Sequence, residues 1–349
     1  MSIVFEAEIT PGMAAGHVVQ LARMVEDAGF DRLGISDVVL WPDCYMLQSL
    51  AAQATHRILI GSLVTNPYSR HPVVHAAALA TLQDVSDGRA FFGLGVGAGI
   101  EQVGLNPQRV ITTLRETVSI VRRLLAGEEV EHRGQVFDLE PVRLMRPPSR
   151  AVPLAIGTRS RQVTTLAGEV ADIVLVGARH FNSSLFDTYH RWVVEGARQA
   201  GRDSDEIEMS ARVTLCISED GNLARASVKR YAAHYLNLLG ADGPPVSVDR
   251  QKAINDALAR STGWYFDHDR YDDPALEELI DDELVNHFAV AGTPSECVDQ
   301  MKRIVDLGFR SVSCNLAAVK RPDNTMTTGL METLEGAGQL IAELQGNNQ

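Results

Sequence analysis

"RILIGSLVTNPYSRHPVVHAAALATLQDVSDGRAFFGLGV", residues 57–96, contains a strand, a helix and a second strand in succession. The apolar run "RILIGSLV" has the length of a buried strand, "PVVHAAALATLQDVS" that of a helix, and "AFFGLGV" is apolar again. A strand that returns through a helix to another strand builds a parallel sheet. The same alternation extends in both directions. Upstream lie "SIVFEAEI" with "MAAGHVVQLARMVEDAGF", and "RLGISD" with "CYMLQSLAAQAT". Downstream, "PQRVITTLRETVSIVRRLLAG" completes the fourth unit, and "EEVEHRGQVFDL" reads as a hairpin turning at Arg133-Gly134. "PLAIGT" with "SRQVTTLAGEVA", "DIVLVG" with "SLFDTYHRWVVEGARQAG", and "IEMSARVTLCIS" with "NLARASVKRYAAHYLNLL" continue the series. "RSVSCNLA" and "GLMETLEGAGQLIAELQ" end it.

Close to eight such units favour a closed (β/α)8 TIM barrel over an open doubly wound sheet, since about 250 residues or more suit the closed form. No linker or composition break divides residues 1–349, so a single domain is expected. Residues 242–290 do not follow the repeat and read as a helical insertion before the last strand. "GTPSECVDQMKRIVDLG" then forms a helix with Thr293 as N-cap and Pro294 in its first turn.

Composition narrows the functional classes. A formal charge of -13 argues against non-specific nucleic-acid binding, which depends on neutralising phosphates. No stretch approaches the ~18 apolar residues of a membrane span. "MSIVFEAEITPG" lacks the basic start and apolar core of a signal peptide, and a cytoplasmic protein is expected. Cys44, Cys216, Cys297 and Cys314 are scattered without metal-ligand spacing, as reduced core thiols would be, and the ten histidines form no metal motif. An anionic ligand would need local cations, which directs attention to Arg70, Arg159, Arg161 and Arg179.

In such barrels the chemistry sits at the C-terminal ends of the strands. Glu8 ends the first strand among apolar neighbours, where a carboxylate is costly unless paired or used. Asp37 ends the second, either to bind a ligand or to cap a turn, and Trp41 follows as a wall or core residue. The third ends in "VTNPYSRHP", far more polar chemistry than a plain connection needs, with His71 set to start the next helix. "GLGVGAG" at the fourth matches a dinucleotide fingerprint at Gly93, Gly95 and Ala98, but no helix opens before Pro107. Its glycines more readily admit a flat ligand against the backbone, with Glu101 nearby as a solvated or functional acid. "IGTRSRQ" at the fifth opens a helix within Thr158–Arg161, either an anion site or a capped turn.

These segments together resemble the bacterial luciferase-like barrel oxidoreductases, and within them the deazaflavin coenzyme F-420-dependent branch that includes methylenetetrahydromethanopterin reductase. The resemblance rests on "AGFDRLGISD", on residues 57–99, on "VPLAIGTRSRQVTTLAGEVADIVLVG" and on "FAVAGTPSECVDQMKRIVDLGF", in order along most of the chain. It implies a ring at the barrel mouth against Asp37, Ser62, Leu63, Val64, Thr65, Asn66, Gly95, Gly97, Ala98 and Gly177. It also implies a phosphate near Gly157, Thr158, Arg159 and Ser160, and a non-proline cis peptide within Ser62-Leu63-Val64. Many relatives carry His after the second-strand acid, where this chain has Val38 after Asp37, so proton transfer falls first to Glu8, with Trp41, Tyr68 and Glu101 in reserve. The reaction implied is hydride transfer between the deazaflavin and a C=N, C=C or C=O carbon of a small molecule. An FMN-dependent monooxygenase fed by a partner reductase is the alternative, and a non-catalytic flavin-binding barrel the third. The resemblance also implies a homodimer or higher oligomer.

Overall fold

The computed structural model describes residues 3–97, 99–177, 180–240 and 243–346, so Ala98 and Arg179 lie outside the described residues. The first half of the chain contributes β1 (Val4–Ile9), α1 (Ala15–Asp27), β2 (Arg32–Ile35), α2 (Cys44–Ala54), β3 (Leu59–Ser62), α3 (Pro72–Val85), β4 (Ala90–Leu94) and α4 (Val110–Leu125). A hairpin of β5 (Val130–Arg133) and β6 (Asp138–Val142) follows, closed by the Gly134 amide donating to the Phe137 carbonyl at 2.9 Å. Next come β7 (Leu154–Thr158), α5 (Arg161–Val170), β8 (Ile173–Val176), α6 (Leu185–Gln199), β9 (Glu208–Ile217) and α7 (Gly221–Leu239). The insertion supplies α8 (Val248–Arg260), α9 (Ala275–Leu279) and α10 (Asp282–Phe288). The chain ends in β10 (Ala289–Gly292), α11 (Pro294–Val305), β11 (Ser311–Leu316) and α12 (Met326–Gly346).

Eight of these strands close into a parallel (β/α)8 barrel in the order β1-β2-β3-β4-β7-β8-β9-β11 and back to β1. The expected α11 start is present, with a full capping box between Thr293 and Glu296. Two sequence expectations shift. The helix placed at Pro107 begins at Val110, after a short 3-10 turn over Ile100–Val103 and a left-handed Arg109. At the end of the segment read as a helical insertion, and running past it, "AVAG" forms β10. It exists because β9 is ten residues long: Glu208–Ala211 pair with β8, and Thr214–Ile217, beyond the end of β8, pair with β10.

The barrel lumen is divided. On β1, Phe5, Ala7 and Ile9 join the main apolar core, while Glu6 and Glu8 take the opposite face, as a two-residue period requires. The same alternation brings Arg32 and Ser36 of the β2 segment, Ser210, Arg212 and Thr214 of β9, and Ser311, Ser313 and Asn315 of β11 to the polar side. Leu63, Phe91, Ala155, Ile173 and Leu175 form a separate apolar cluster from β3, β4, β7 and β8. Barrel interiors are normally filled by Val, Ile and Leu all round. Here half the circumference is polar.

Candidate active site

At the C-terminal ends of the strands lies a cavity of about 500 Å³. Its floor is Glu8, which is 3% exposed. Arg212 of β9 grips this carboxylate with two hydrogen bonds, Nε to Oε2 at 2.6 Å and a terminal guanidinium nitrogen to Oε1 at 2.7 Å. Ser36 Oγ donates to Oε1 at 2.9 Å. The carboxylate therefore accepts three hydrogen bonds from protein donors, the pattern of an ionised group. Burial opposes a charge on Arg212, yet Glu8 holds its pKa well above the ordinary arginine value. The sequence reading found Glu8 and missed Arg212.

The loop "VTNPYSRHP" turns out to be largely scaffold. Asp37 Oδ2 accepts from Thr65 Oγ1 at 2.6 Å and is ion-paired with Arg70, which also reaches Asp43 at 2.7 Å. Arg70 thus ties the ends of β2 and β3 together and is not a free anion-binding cation. Asn66 Oδ1 accepts from the Tyr68 and Ser69 amides at 3.0 and 2.8 Å, and its carbonyl accepts from His75 Nε2 at 3.0 Å. Because Nε2 carries that proton, His75 Nδ1 accepts from Tyr45 Oη at 2.9 Å. Burial lowers the His75 pKa to about 4, which keeps the ring neutral.

The Leu63-Val64 peptide is cis, within the stretch expected to hold such a bond. Both residues line the cavity. Gly34 and Gly95 make room for them: a Cβ on Gly34 would stand 2.1 Å from Leu63 Cδ1, and one on Gly95 2.5 Å from Val64 Cγ2. Beside Val64, Gly157, Thr158, Arg159 and Ser160 line the cavity with Gly177. Ser160 Oγ caps α5 by accepting from the Val163 amide at 3.3 Å, while the first-turn amides of Arg161 and Gln162 have no acceptor within the helix. Arg159 makes no ion pair among the described residues and lies over the Tyr235 ring, 6.0 Å from its centroid. Arg161 is instead drawn to Glu195 at 3.1 Å.

Of the expected site residues, Glu8, Asp37, Leu63, Val64, Gly97, Glu101, Gly157, Thr158, Arg159, Ser160 and Gly177 meet at this cavity. Ser62, Thr65, Asn66 and Gly95 stand behind its wall; Ser62 Oγ donates to the Gly93 carbonyl at 2.7 Å. Trp41 is displaced as well. It packs edge-to-face on Trp264 at 5.5 Å and faces a neighbouring cavity of about 880 Å³.

Trp264, Tyr265 and Phe266, from the insertion, form the wall that sequence reading left unassigned. The loop carrying them is pinched shut by Thr262 and Tyr271, whose amides donate to each other's carbonyls at 2.9 and 3.2 Å. Asp267 Oδ2 accepts from the Trp264 amide at 2.7 Å, and Lys320 Nζ donates to the Arg270 carbonyl at 3.0 Å. Three consecutive aromatics in an otherwise polar insertion were the available signal.

A family model described as luciferase-like monooxygenase matches residues 2–311. The chain is 27% identical over 310 residues to the 5,10-methylenetetrahydromethanopterin reductase of Methanolobus tindarius, with 88% of this chain and 92% of that protein covered. It is 26% identical over 307 residues to the F-420-dependent glucose-6-phosphate dehydrogenase of Nakamurella multipartita, with 84% of each covered. Its fold superposes on the solved coenzyme F-420-dependent tetrahydromethanopterin reductase of Methanopyrus kandleri with a TM-score of 0.78 and 25% identity, over 96% of this chain and 98% of that one.

Proposed function

Because the chain belongs to the luciferase-like monooxygenase family, we propose that it is an F-420-dependent oxidoreductase that moves a hydride between the deazaflavin and an unsaturated carbon of a small organic substrate. One observation carries this reading beyond the family: the cavity has two unlike walls. Gly157, Gly177, Leu63 and Val64 make a smooth, apolar side suited to a flat ring, and the Glu8–Arg212 pair makes a charged floor suited to a proton. The residues fit the cofactor. The open first turn of α5, the Ser160 hydroxyl and Arg159, which makes no ion pair among the described residues, offer donors and positive charge to a phosphate.

When bound, the deazaflavin supplies a carbon that gives or takes a hydride. This chain's residues do the rest. Leu63 and Val64 would support the ring, and Trp264, Tyr265 and Phe266, which also line the cavity, would enclose the substrate and exclude water. Glu8, ionised beside Arg212, takes a proton from a substrate undergoing oxidation or passes one on in reduction. Asp37 and Arg70 hold the loop ends together.

The assembly unit we infer is a homodimer. Met46 and Leu50 of α2 and Val74 of α3 are exposed, and Ala77 beside them adds a further uncharged position. The chain works as one unit, with the insertion completing its cavity, and we place it in the cytoplasm. Four buried, unpaired thiols support that location, and among the described residues no helix is long and apolar enough to cross a membrane.

Separate fluorescence titrations with F-420 and FMN test the reading. Tight binding of F-420 with FMN excluded or far weaker is expected. Preference for FMN would overturn it in favour of oxygen chemistry.

A further inference from the structure

Two buried charge layers stand one above the other in the polar half of the lumen. The upper is Glu8–Arg212, open to the cavity. The lower is Glu6 with Arg32, at 3.6 Å, and Arg32 is also paired with Glu208. Glu208 begins β9 at the opposite end of the barrel, and its side chain is 26% exposed, so this layer reaches solvent from below. Strand β11 runs beside both: Ser313 is in register with Glu6, and Asn315 with Glu8. The Ser313 hydroxyl, beside Glu6 in that register, is buried and makes no hydrogen bond among the described residues. Asn315 is fully buried with neither amide atom partnered among the described residues, and the Ser210 and Ser311 hydroxyls are likewise buried and unpartnered. Buried polar groups left without partners are costly to a fold. Five such atoms along β11 and the facing stretch of β9 mark a polar path suited to bridging by water. The cavity reaction does not otherwise use Glu6.

We propose that this half of the lumen is a proton path from the Glu208 end of the barrel to Glu8, with Glu6 as the group that carries the proton. The proposal rests on the oxidoreductase reading above. Each hydride that reaches a substrate carbon must be matched by one proton on the neighbouring atom. Cofactor and substrate together occupy the mouth, so that proton has no open route from above. Glu6 releases its proton to water held between the Ser313 hydroxyl and the Asn315 amide, that water hands a proton to the Glu8 carboxylate, and Glu8 passes it to the substrate atom that has gained negative charge. Glu6 recovers a proton from solvent at the Glu208 end through water on the Ser210 and Ser311 hydroxyls, past Arg32, which stays charged. No further oxidant or reductant enters. The groups facing Glu6 are Glu8 on its own strand, Arg32 on β2, Glu208 on β9 and Ser313 on β11. Burial raises the Glu6 pKa, and Glu208 and Glu8 add to the rise, against Arg32 and Ser313. Glu6 is thereby suited to hold a proton, while the Glu8 oxygens above it are engaged by Arg212 and Ser36.

Infrared spectroscopy of the full chain, mixed rapidly from H2O into D2O with and without bound F-420, tests this without turnover. A protonated-carboxyl band is expected that disappears in Glu6→Gln and shifts in Ser313→Ala. It should exchange for deuterium at the same rate whether or not F-420 covers the mouth, and about tenfold more slowly in Glu208→Gln. Absence of any band sensitive to Glu6→Gln or Ser313→Ala would overturn the proposal, as would exchange that stops when F-420 binds. If F-420 does not bind, the oxidoreductase reading fails by itself. The proton path is then judged in the free protein, where an unchanged exchange rate in Glu208→Gln overturns it and a slowed one supports it.

Discussion

Replacing Arg212 by Met leaves Glu8 at the cavity floor without its cation. The loss can be sized from the geometry. Two charge-assisted hydrogen bonds of 2.6 and 2.7 Å disappear, and the Glu8 carboxylate is 3% exposed. Breaking a buried ion pair by removing one partner costs about 3–5 kcal/mol. The Arg212 side chain is 18% exposed, and Ser36 still donates to Glu8, so the lower end, about 3 kcal/mol, is expected. Because Glu8 raises the Arg212 pKa well above the usual value, the arginine does not titrate across the neutral range, and its contribution is lost only far into alkali. Glu8→Gln costs less, since its amide oxygen still accepts from the guanidinium, and the double variant should fall short of the sum of the singles by about 2 kcal/mol. Urea denaturation of all four proteins at neutral pH measures the cycle. Additivity within about 0.5 kcal/mol would refute the pairing as the determinant of the Glu8 charge state. Glu8→Gln should also retain F-420 while losing turnover.

Other consequences are equally direct. His75 is held neutral with its pKa lowered to about 4, while the unfolded chain binds a proton near the ordinary histidine value of about 6.5. Stability conferred by this ring is therefore complete above about 6.5 and is lost as pH falls toward 4, by about 3 kcal/mol in all. His75→Gln should flatten that part of the stability–pH curve, and an unchanged slope would place the acid sensitivity elsewhere. Arg159→Ala should weaken F-420 binding about tenfold at low salt and less at high salt, because a single cation is removed. Equal weakening at both salt concentrations would exclude a charge contact. Leu50→Glu, on the exposed face of α2, should convert a dimer to monomers in sedimentation velocity without altering the circular dichroism. A persistent dimer would move the interface to another face.

The barrel was legible because its signal is repetitive: apolar strand runs alternate with amphipathic helices, and each unit supports the reading of the next. The cavity was legible wherever a residue sits at a strand end, as Glu8, Gly157 and Ser160 do. Arg212 was not, because it lies in mid-strand and meets Glu8, 204 positions away, only once β11 brings β1 and β9 round. Its trace in the sequence is the alternation "SARVT", whose polar members match the inner positions of "FEAE". Trp41 misled because a loop residue's direction depends on what it packs against, here Trp264 from an insertion without the repeat's period. Strand β10 escaped because its four residues follow α10 with no loop between and so resemble that helix's tail.

The divided lumen gives these details one physical cause. A strand in a closed barrel has one face on the helices and one on the lumen, so burial alone would make both apolar. β3, β4, β7 and β8 meet that demand, and at their C-terminal ends they present the apolar, glycine-smoothed side of the cavity. β1, β9 and β11 break it at every second residue, and β2 does so at Arg32 and Ser36, at a desolvation cost that ion pairs and hydrogen bonds only partly offset. Had the polar groups served only to hold charged residues in place, a pair at the floor would have been enough. They instead continue through two layers to the opposite rim, from Glu8 to Glu208, along the side of the barrel where a substrate's proton has to come from. A chemistry confined to ring binding would require only the apolar half, and it is coupling a hydride at one wall to a proton at the other that requires both.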